Sequence, residues 1–501
     1  MKEDLLLSTE EKVFYRLSGF SALTDKIYID HRGNPGMKSC FRSMAFLTFL
    51  LVFVCQAAVF AAARPVSMTG MRYHGNDAKD RIVFDLSAVP QYTVKEADDG
   101  KTITIEFANT ANSMKLKPAV ASEAIASVSM QSVGQNLQVI ISLKTPMDYK
   151  VQQLSNPSRI FIDISKEYER TVQEEAAPGL THTTYVRRDS KGMLTAHFLE
   201  VDRSQYALKP VLGNGEILGR ERLSSISDGQ NAMAAVNASY FNPDGTLFGI
   251  TKIDGTIVAT TYFTRSGFAL LADGRAAIGT FGYDGSVTIG KASVPIAGVN
   301  CEREENSLVL YNSYYNDTTG TNEFGREFIV RNGKIAAIQQ MNSQIPQDGV
   351  VISVHGTARD AFTGVRVGDK VTIRESLGAP WDQASMILGV GPVLVRNGQV
   401  DVTAQAEQFP GDIAYGRAPR TAVGIMPNGH ILLAVVDGRQ ASSIGCTLTE
   451  MGELMKKFGA SDALNFDGGG SSEMILGGRI LNNPSDGAER PLGCALVVVK
   501  K

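Results

Sequence analysis

Ala463-Leu-Asn-Phe-Asp-Gly-Gly-Gly-Ser-Ser-Glu473 reads as a short buried strand that stops at Asp467 and runs straight into three glycines. A rigid strand end aims the acid, and glycine lets backbone come close to whatever sits beside it. Ile431-Leu-Leu-Ala-Val-Val-Asp-Gly-Arg439 has the same form: a near-continuous apolar run of central-strand length, with Asp437 at its C-terminal end. Two such strands predict a sheet-based domain whose polar side chains converge at strand ends.

Working outward, the sequence from about 183 to 501 is a run of strands joined by tight turns. Asn214-Gly215, Asp254-Gly255, Asp273-Gly274, Asp284-Gly285, Asn332-Gly333, Asn397-Gly398 and Asn428-Gly429 are hairpin signals, because both residues tolerate positive φ. Helices are few. Thr447-Leu-Thr-Glu450 is a capping box, Leu448, Met451, Leu454, Met455 and Phe458 make one apolar stripe, and Gly459 supplies the stop. A second helix is expected over roughly Ser224 to Val236, where Ala and Met dominate. The expected class is a mixed, strand-rich α+β domain rather than a doubly wound nucleotide fold.

Residues 64–167 read differently. Ile82–Leu86, Thr102–Phe107, Leu137–Leu143 and Arg159–Ile164 alternate with period two, and Asp-Gly, Asn-Pro and Gly-Gln punctuate them. Half-buried sheets need a covering layer, so an all-β sandwich is expected. The polar, acidic stretch 168–182, with Pro178-Gly179, suits a linker between the two domains.

Ahead of these domains, Lys38 and Arg42 precede an apolar run from Met44 to Phe60 that ends in Ala61-Ala62-Ala63. That order is a secretory signal over 37–63 with cleavage expected after Ala63; the alternative is an uncleaved anchor. Residues 1–36 are a doubtful upstream extension, with Met37 the expected start. Export to the periplasm, envelope or exterior follows.

Composition is that of a globular chain, with 501 residues and 43% hydrophobic residues, and a formal charge of -3 gives no reason to expect nucleic acid. Cys301, Cys446 and Cys494 are too widely spaced for a disulfide framework. There is no CxxC or HExxH, so zinc is not indicated. Walker A, GxGxxG and GxSxG motifs are also missing. Asp437, Asp467 and Asp486 offer hard oxygen ligands, but no spacing identifies a cation site, and no cofactor is expected.

The candidate chemistry lies at strand ends. Asp467 and Asp437 are candidates for the carboxylate pair that glycosidic cleavage uses, with Glu473 and His355 as further acid–base candidates. The N–H groups of Gly468 and Gly469, with the Ser471 hydroxyl, are expected to form an anion nest. Arg420 precedes an apolar strand and offers the planar fork that suits phosphate. In Val236-Asn-Ala-Ser-Tyr-Phe-Asn-Pro-Asp-Gly245, Asn237 is expected to orient a sugar or phosphate oxygen, and Tyr240 or Phe241 to stack on a ring. Each of these also has a plain structural reading as a turn, a solvated strand edge or a core contact.

Six motifs occur in order: Val236–Gly245, Ile387–Val395, Pro419-Arg-Thr-Ala-Val-Gly424, Val436-Asp-Gly-Arg439, Asn465–Ser472 and Asn482-Asn-Pro-Ser-Asp-Gly-Ala-Glu-Arg-Pro491. On these, residues 183–501 resemble the phosphodiester glycosidase family. The resemblance implies hydrolysis of a bond between an anomeric carbon and an esterified phosphate, with Asn237, Arg420, Asp437, Asp467 and Glu489-Arg490 lining the cleft and Arg420 and Arg490 on phosphate. Pro90-Gln-Tyr-Thr-Val94 and Pro146-Met-Asp-Tyr-Lys-Val151, with the strand spacing, make the N-terminal domain similar to the AMIN family. That similarity implies an envelope-targeting module that binds peptidoglycan or another wall component, and a glycan or sugar-phosphate polymer as the partner.

Overall fold

Alternating sequence becomes alternating burial in the computed structural model, which describes residues 64–115, 119–260 and 265–501 together with the backbone of Phe14–Tyr15. The expected signal and upstream extension lie outside the described residues. The chain divides into two compact units after Tyr168.

The first unit is almost all antiparallel β. Its six-stranded sheet runs Phe14–Tyr15, Tyr149–Ser155, Ser158–Ser165, Lys79–Leu86, Val66–Gly75, Thr110–Asn112. Its four-stranded sheet runs Tyr92–Glu96, Thr102–Phe107, Asn136–Leu143, Ile125–Val133. Ile82, Phe84, Ile160 and Ile162 of one sheet share a core with Ile103, Phe107, Val139 and Ile141 of the other. The rings of Phe84 and Phe107 meet edge to face with centroids 5.7 Å apart. Burying each such side chain contributes about 1.5–3 kcal/mol, enough for a small sandwich to hold.

The stretch expected as a linker is instead a strand, Tyr168–Ala177, which turns at Pro178-Gly179 into Leu180–Asp189. It is the edge of an eight-stranded sheet, and most of its side chains face solvent. A polar, acidic edge strand and a linker have the same composition, which is why the sequence misleads here.

The second unit is strand-rich with a few short helices. After the edge hairpin its eight-stranded sheet continues through Gly192–Val201, Ile431–Val436, Arg420–Ile425, Asp462–Asn465, Val393–Arg396 and Gln399–Val400. A five-stranded sheet runs Tyr206–Leu212, Cys494–Lys500, Ala234–Asn237, Met474–Leu476, Arg479–Ile480. Leu199, Val423, Leu433 and Leu464 from the first pack with Val236, Met474, Leu496 and Val498 from the second in one core. On the far face of the larger sheet the helix Leu448–Lys457 buries Leu448, Met451, Leu454 and Met455.

That helix begins with the capping box the sequence predicts: the Glu450 N–H donates to Thr447 Oγ1 at 3.2 Å, and the Thr447 N–H to Glu450 Oε2 at 3.0 Å. Burial raises the Glu450 carboxyl, but Arg417 at 2.7 Å, the Thr447 N–H and Lys191 outweigh it and hold the pKa near about 2. The other expected helix is shorter, spanning Leu223–Gly229. Ala234–Asn237 is a fully buried strand paired on both sides, so tertiary pairing overrides the helical propensity of its alanines.

Five of the seven Asn-Gly and Asp-Gly turns close hairpins. At Asn332-Gly333 both residues take positive φ, 49° and 67°. Asn214-Gly215 lies instead in the 3-10 turn Gly213–Gly215, and Asp284-Gly285 opens the strand Asp284–Ile289. Cys301, Cys446 and Cys494 are free thiols.

Candidate active site

Three strand ends converge where Ala234–Asn237, Arg420–Ile425 and Asp462–Asn465 finish or begin. Asn237 ties them together and is 1% exposed. Its Nδ2 donates to the Asp467 carbonyl at 2.7 Å, and its Oδ1 accepts from Thr421 Oγ1 at 2.6 Å and from the Glu473 N–H at 3.1 Å. Asn237 is therefore a clasp inside the fold, not the ligand contact the sequence suggested.

The clasp fixes the backbone on which Asp467 sits, and the Asp467 N–H donates to the Ala238 carbonyl at 2.8 Å. Desolvation raises the Asp467 carboxyl to about 6, although the Ser471 hydroxyl, the Gly468 N–H and the Arg490 and Arg420 guanidinium groups pull it down. A carboxyl poised there changes charge near neutral pH, which is what a general acid or base needs.

The glycines after Asp467 do not form the expected anion nest. The Gly468 N–H is taken by Asp467 Oδ1 at 2.8 Å and the Gly469 N–H by the Pro419 carbonyl at 2.9 Å. Their use is steric. A Cβ on Gly468 would sit 2.8 Å from the Pro419 oxygen, and one on Gly470 would sit 2.0 Å from Arg490 Nη2 and 2.3 Å from Asp486 Oδ2. Gly470 is bare because the Arg490–Asp486 ion pair, 2.6 Å across, lies against it.

Asp467, Ser471 and Arg490 line a cleft of about 580 Å³. Arg220 and Arg265 bring two more cations to it, and Tyr240, Phe241, Phe248 and Phe409 give it aromatic walls. The Arg265 guanidinium lies 3.9 Å over the Phe409 ring. The Tyr240 hydroxyl accepts from Asn465 Nδ2 at 2.9 Å, and burial with the nearby Asp467 raises its pKa. Arg220, Arg265 and Phe409 carried no sequence signal, because each lies in an undistinguished segment far from the motifs.

Several other candidates stay out of this cleft lining. Arg420 is 3% exposed, and its guanidinium donates to the carbonyls of Gly416 at 2.7 Å, Ile413 at 2.9 Å and Cys446 at 3.4 Å. It pins the segment Gly411–Tyr415, which brings Ile413 to the cleft, rather than presenting a free fork. Asp437 is 5% exposed; its Oδ1 accepts from the Asn483 N–H at 2.9 Å and Asn482 Nδ2 at 3.2 Å, and burial raises its pKa. It anchors the loop that leads to Asp486 and Arg490. Asp437 is thus not among the residues that line the Asp467 cleft.

Glu473 is buried, and desolvation first, then the neighbouring Glu489, push it up to about 8. It is an uncharged carboxylic acid at neutral pH. Glu489 in turn accepts from the Ser224 N–H and hydroxyl at 2.9 and 2.7 Å. His355 ends the strand Gly349–His355 in another sheet, where its Nδ1 accepts from the Asn306 N–H at 3.4 Å. Among the described residues no three His, Cys, Asp or Glu side chains gather to hold a metal ion.

The phosphodiester glycosidase family model matches residues 324–499, and the AMIN domain model matches 70–164. Over 102 residues the chain is 35% identical to bovine N-acetylglucosamine-1-phosphodiester alpha-N-acetylglucosaminidase, covering 19% of each protein. It is 29% identical to the mouse enzyme over 156 residues, covering 28% of this chain and 30% of that one. The chain thus spans less than a third of the length of these curated relatives. A hypothetical protein from Synechocystis shares the fold, with a TM-score of 0.60 and 20% identity over 87% of this chain and 81% of that one. The chain carries an AMIN domain within residues 70–164 and, in its second unit, a phosphodiester glycosidase domain.

Proposed function

We propose that the second unit hydrolyses a sugar-1-phosphodiester, breaking the bond between the anomeric carbon and the phosphate oxygen. The observation that carries this reading is the Asp467 carboxyl, tuned to about 6, in one cleft with Arg220, Arg265 and Arg490. The arginines bind and neutralise the diester, and the aromatic walls hold the sugar. Ionised Asp467 takes a proton from water as the water oxygen bonds to the anomeric carbon. The carbon–oxygen bond breaks, and its electron pair leaves with the phosphomonoester. Charge stabilisation of that leaving group by the arginines does most of the catalytic work, since a phosphomonoester leaves readily.

The substrate is an envelope, wall or exopolysaccharide glycan. Two features support that setting: the AMIN domain and the signal-like segment 37–63. The first unit then serves to hold the enzyme at the envelope glycan.

The test is release of free sugar from UDP-GlcNAc and alkyl sugar-1-phosphodiesters, with and without chelator, in water enriched in heavy oxygen. Label in the sugar and none in the phosphate supports anomeric carbon–oxygen cleavage. Label in the phosphate overturns it in favour of a phosphodiesterase. Retained binding with no sugar released from any substrate makes the second unit a polymer-binding module instead.

A further inference from the structure

The first unit carries its own cationic pocket, on the face of the six-stranded sheet turned away from the core. Residues at alternate positions point there: Arg81, Val83 and Asp85 on one strand, and Arg159, Phe161 and Asp163 on the next. Arg72, Arg81 and Arg159 line a pocket of about 360 Å³, with Phe161, Leu154 and His74 completing its wall.

Two of the three arginines are already committed. Arg72 donates from Nε and Nη2 to Asp85 at 2.9 and 2.6 Å, and Arg81 from Nε and Nη2 to Asp163 at 2.6 and 2.7 Å while lying 4.4 Å over the Phe161 ring. Lys79 shares the same Asp163 at 2.9 Å. Four cations, Arg72, Lys79, Arg81 and Arg159, therefore meet two carboxylates, Asp85 and Asp163. Arg159 stands in register with Asp85 and with Leu154, yet its Nε is buried without a hydrogen-bond partner. A buried donor left without an acceptor is unfavourable, and a bound anion would supply the missing acceptor.

We propose that this pocket, through Arg159 flanked by Arg72 and Arg81, binds phosphate groups of a phosphodiester-linked polymer. The choice of phosphate rests on the reading of the second unit given above, since a polymer cut by one unit is available to be held by the other. The guanidinium fork suits a phosphate oxygen pair, and the 40% exposed Leu154 offers apolar surface to the intervening carbon units. Tethering on one chain raises the effective concentration of polymer at the cleft without any added contact there.

The experiment uses the full chain and poly(glycerol phosphate) as probe, with polygalacturonate and a neutral glucan alongside, and compares the parent with Arg159→Ala and Arg159→Gln. The expected result is selective binding of poly(glycerol phosphate), weakened about tenfold in both variants, with hydrolysis of a small soluble sugar-1-phosphodiester unchanged. Undiminished binding in the variants, or equal binding of polygalacturonate or glucan, overturns the proposal. A parent that binds poly(glycerol phosphate) through Arg159 but hydrolyses nothing would sink the glycosidase reading and leave this one standing.

Discussion

The side-chain amide of Asn237 donates to the main-chain carbonyl of Asp467 at 2.7 Å across 230 positions of sequence. The contact couples the five-stranded sheet to the end of a strand in the eight-stranded one, at the residue proposed to do the chemistry. Asn237→Ala leaves the Asp467 carbonyl, the Thr421 hydroxyl and the Glu473 N–H unpaired. A loss of about 2–4 kcal/mol in urea unfolding is expected, with turnover reduced in whatever folds. A variant of parental stability and rate would reduce the clasp to an ordinary contact.

Asp467→Asn should abolish release of sugar while the circular dichroism spectrum stays parental. In the parent, the rate should rise with pH through about 6 and level off as Asp467 ionises. The sign for stability is opposite. The folded pKa lies above the unfolded one, so this carboxyl's contribution is full below pH 4 and is lost as pH rises through 6. Asn at 467 should therefore be more stable than the parent at pH 8, by on the order of 2 kcal/mol. A pH-independent difference between the two would contradict a raised carboxyl.

Glu473 extends the same logic to a higher window. Its pKa of about 8 means that stability is lost as pH climbs towards and through 8. Glu473→Gln keeps the shape, removes that ionisation and should flatten the decline between about pH 5 and about pH 8 in paired denaturant melts. Parallel declines in parent and variant would place the proton elsewhere.

Arg420→Met removes the donor that holds the Ile413 and Gly416 carbonyls. Loss of these two hydrogen bonds, with the longer one to the Cys446 carbonyl, predicts about 3 kcal/mol of destabilisation and faster proteolytic nicking around Gly411–Tyr415. Lysine should not restore it, since a single ammonium cannot reproduce the fork. A purely kinetic effect, with KM raised and stability unchanged, would return Arg420 to the role of phosphate ligand.

Gly470→Ala tests the close approach at the turn. The new methyl must push Arg490 and Asp486 aside, and both are side chains with room to move. A rise in KM of about tenfold with less than 1 kcal/mol of destabilisation is expected. A large stability loss with KM intact would mean that Gly470 serves packing alone.

Much of this fold is legible in the sequence. Period-two alternation marks the sandwich strands, and the Thr447–Glu450 spacing marks the helix Leu448–Lys457, because both signals are local. Asp467 and Arg490 stood out through their motifs. Asn237 and Arg420 carry a sequence signal, and in the fold both side chains grip backbone: a polar side chain at a strand end looks the same in sequence whether it holds backbone or ligand. Arg220 and Arg265 could not be found, since only the folded chain brings them beside Asp467. The edge strand Tyr168–Ala177 was hidden by its own solvent exposure.

The strand Cys494–Lys500 lies inside its sheet, between Tyr206–Leu212 and Ala234–Asn237. Asn237 pairs with Ala495, so about 260 residues must be synthesised before the two can meet. Until then both earlier strands wait with open edges, and closure of so long a loop makes the step slow. The sheet that carries Asn237 is thus completed only once the stretch around Ala495 has been made, so the backbone beneath the clasp gains its middle strand last.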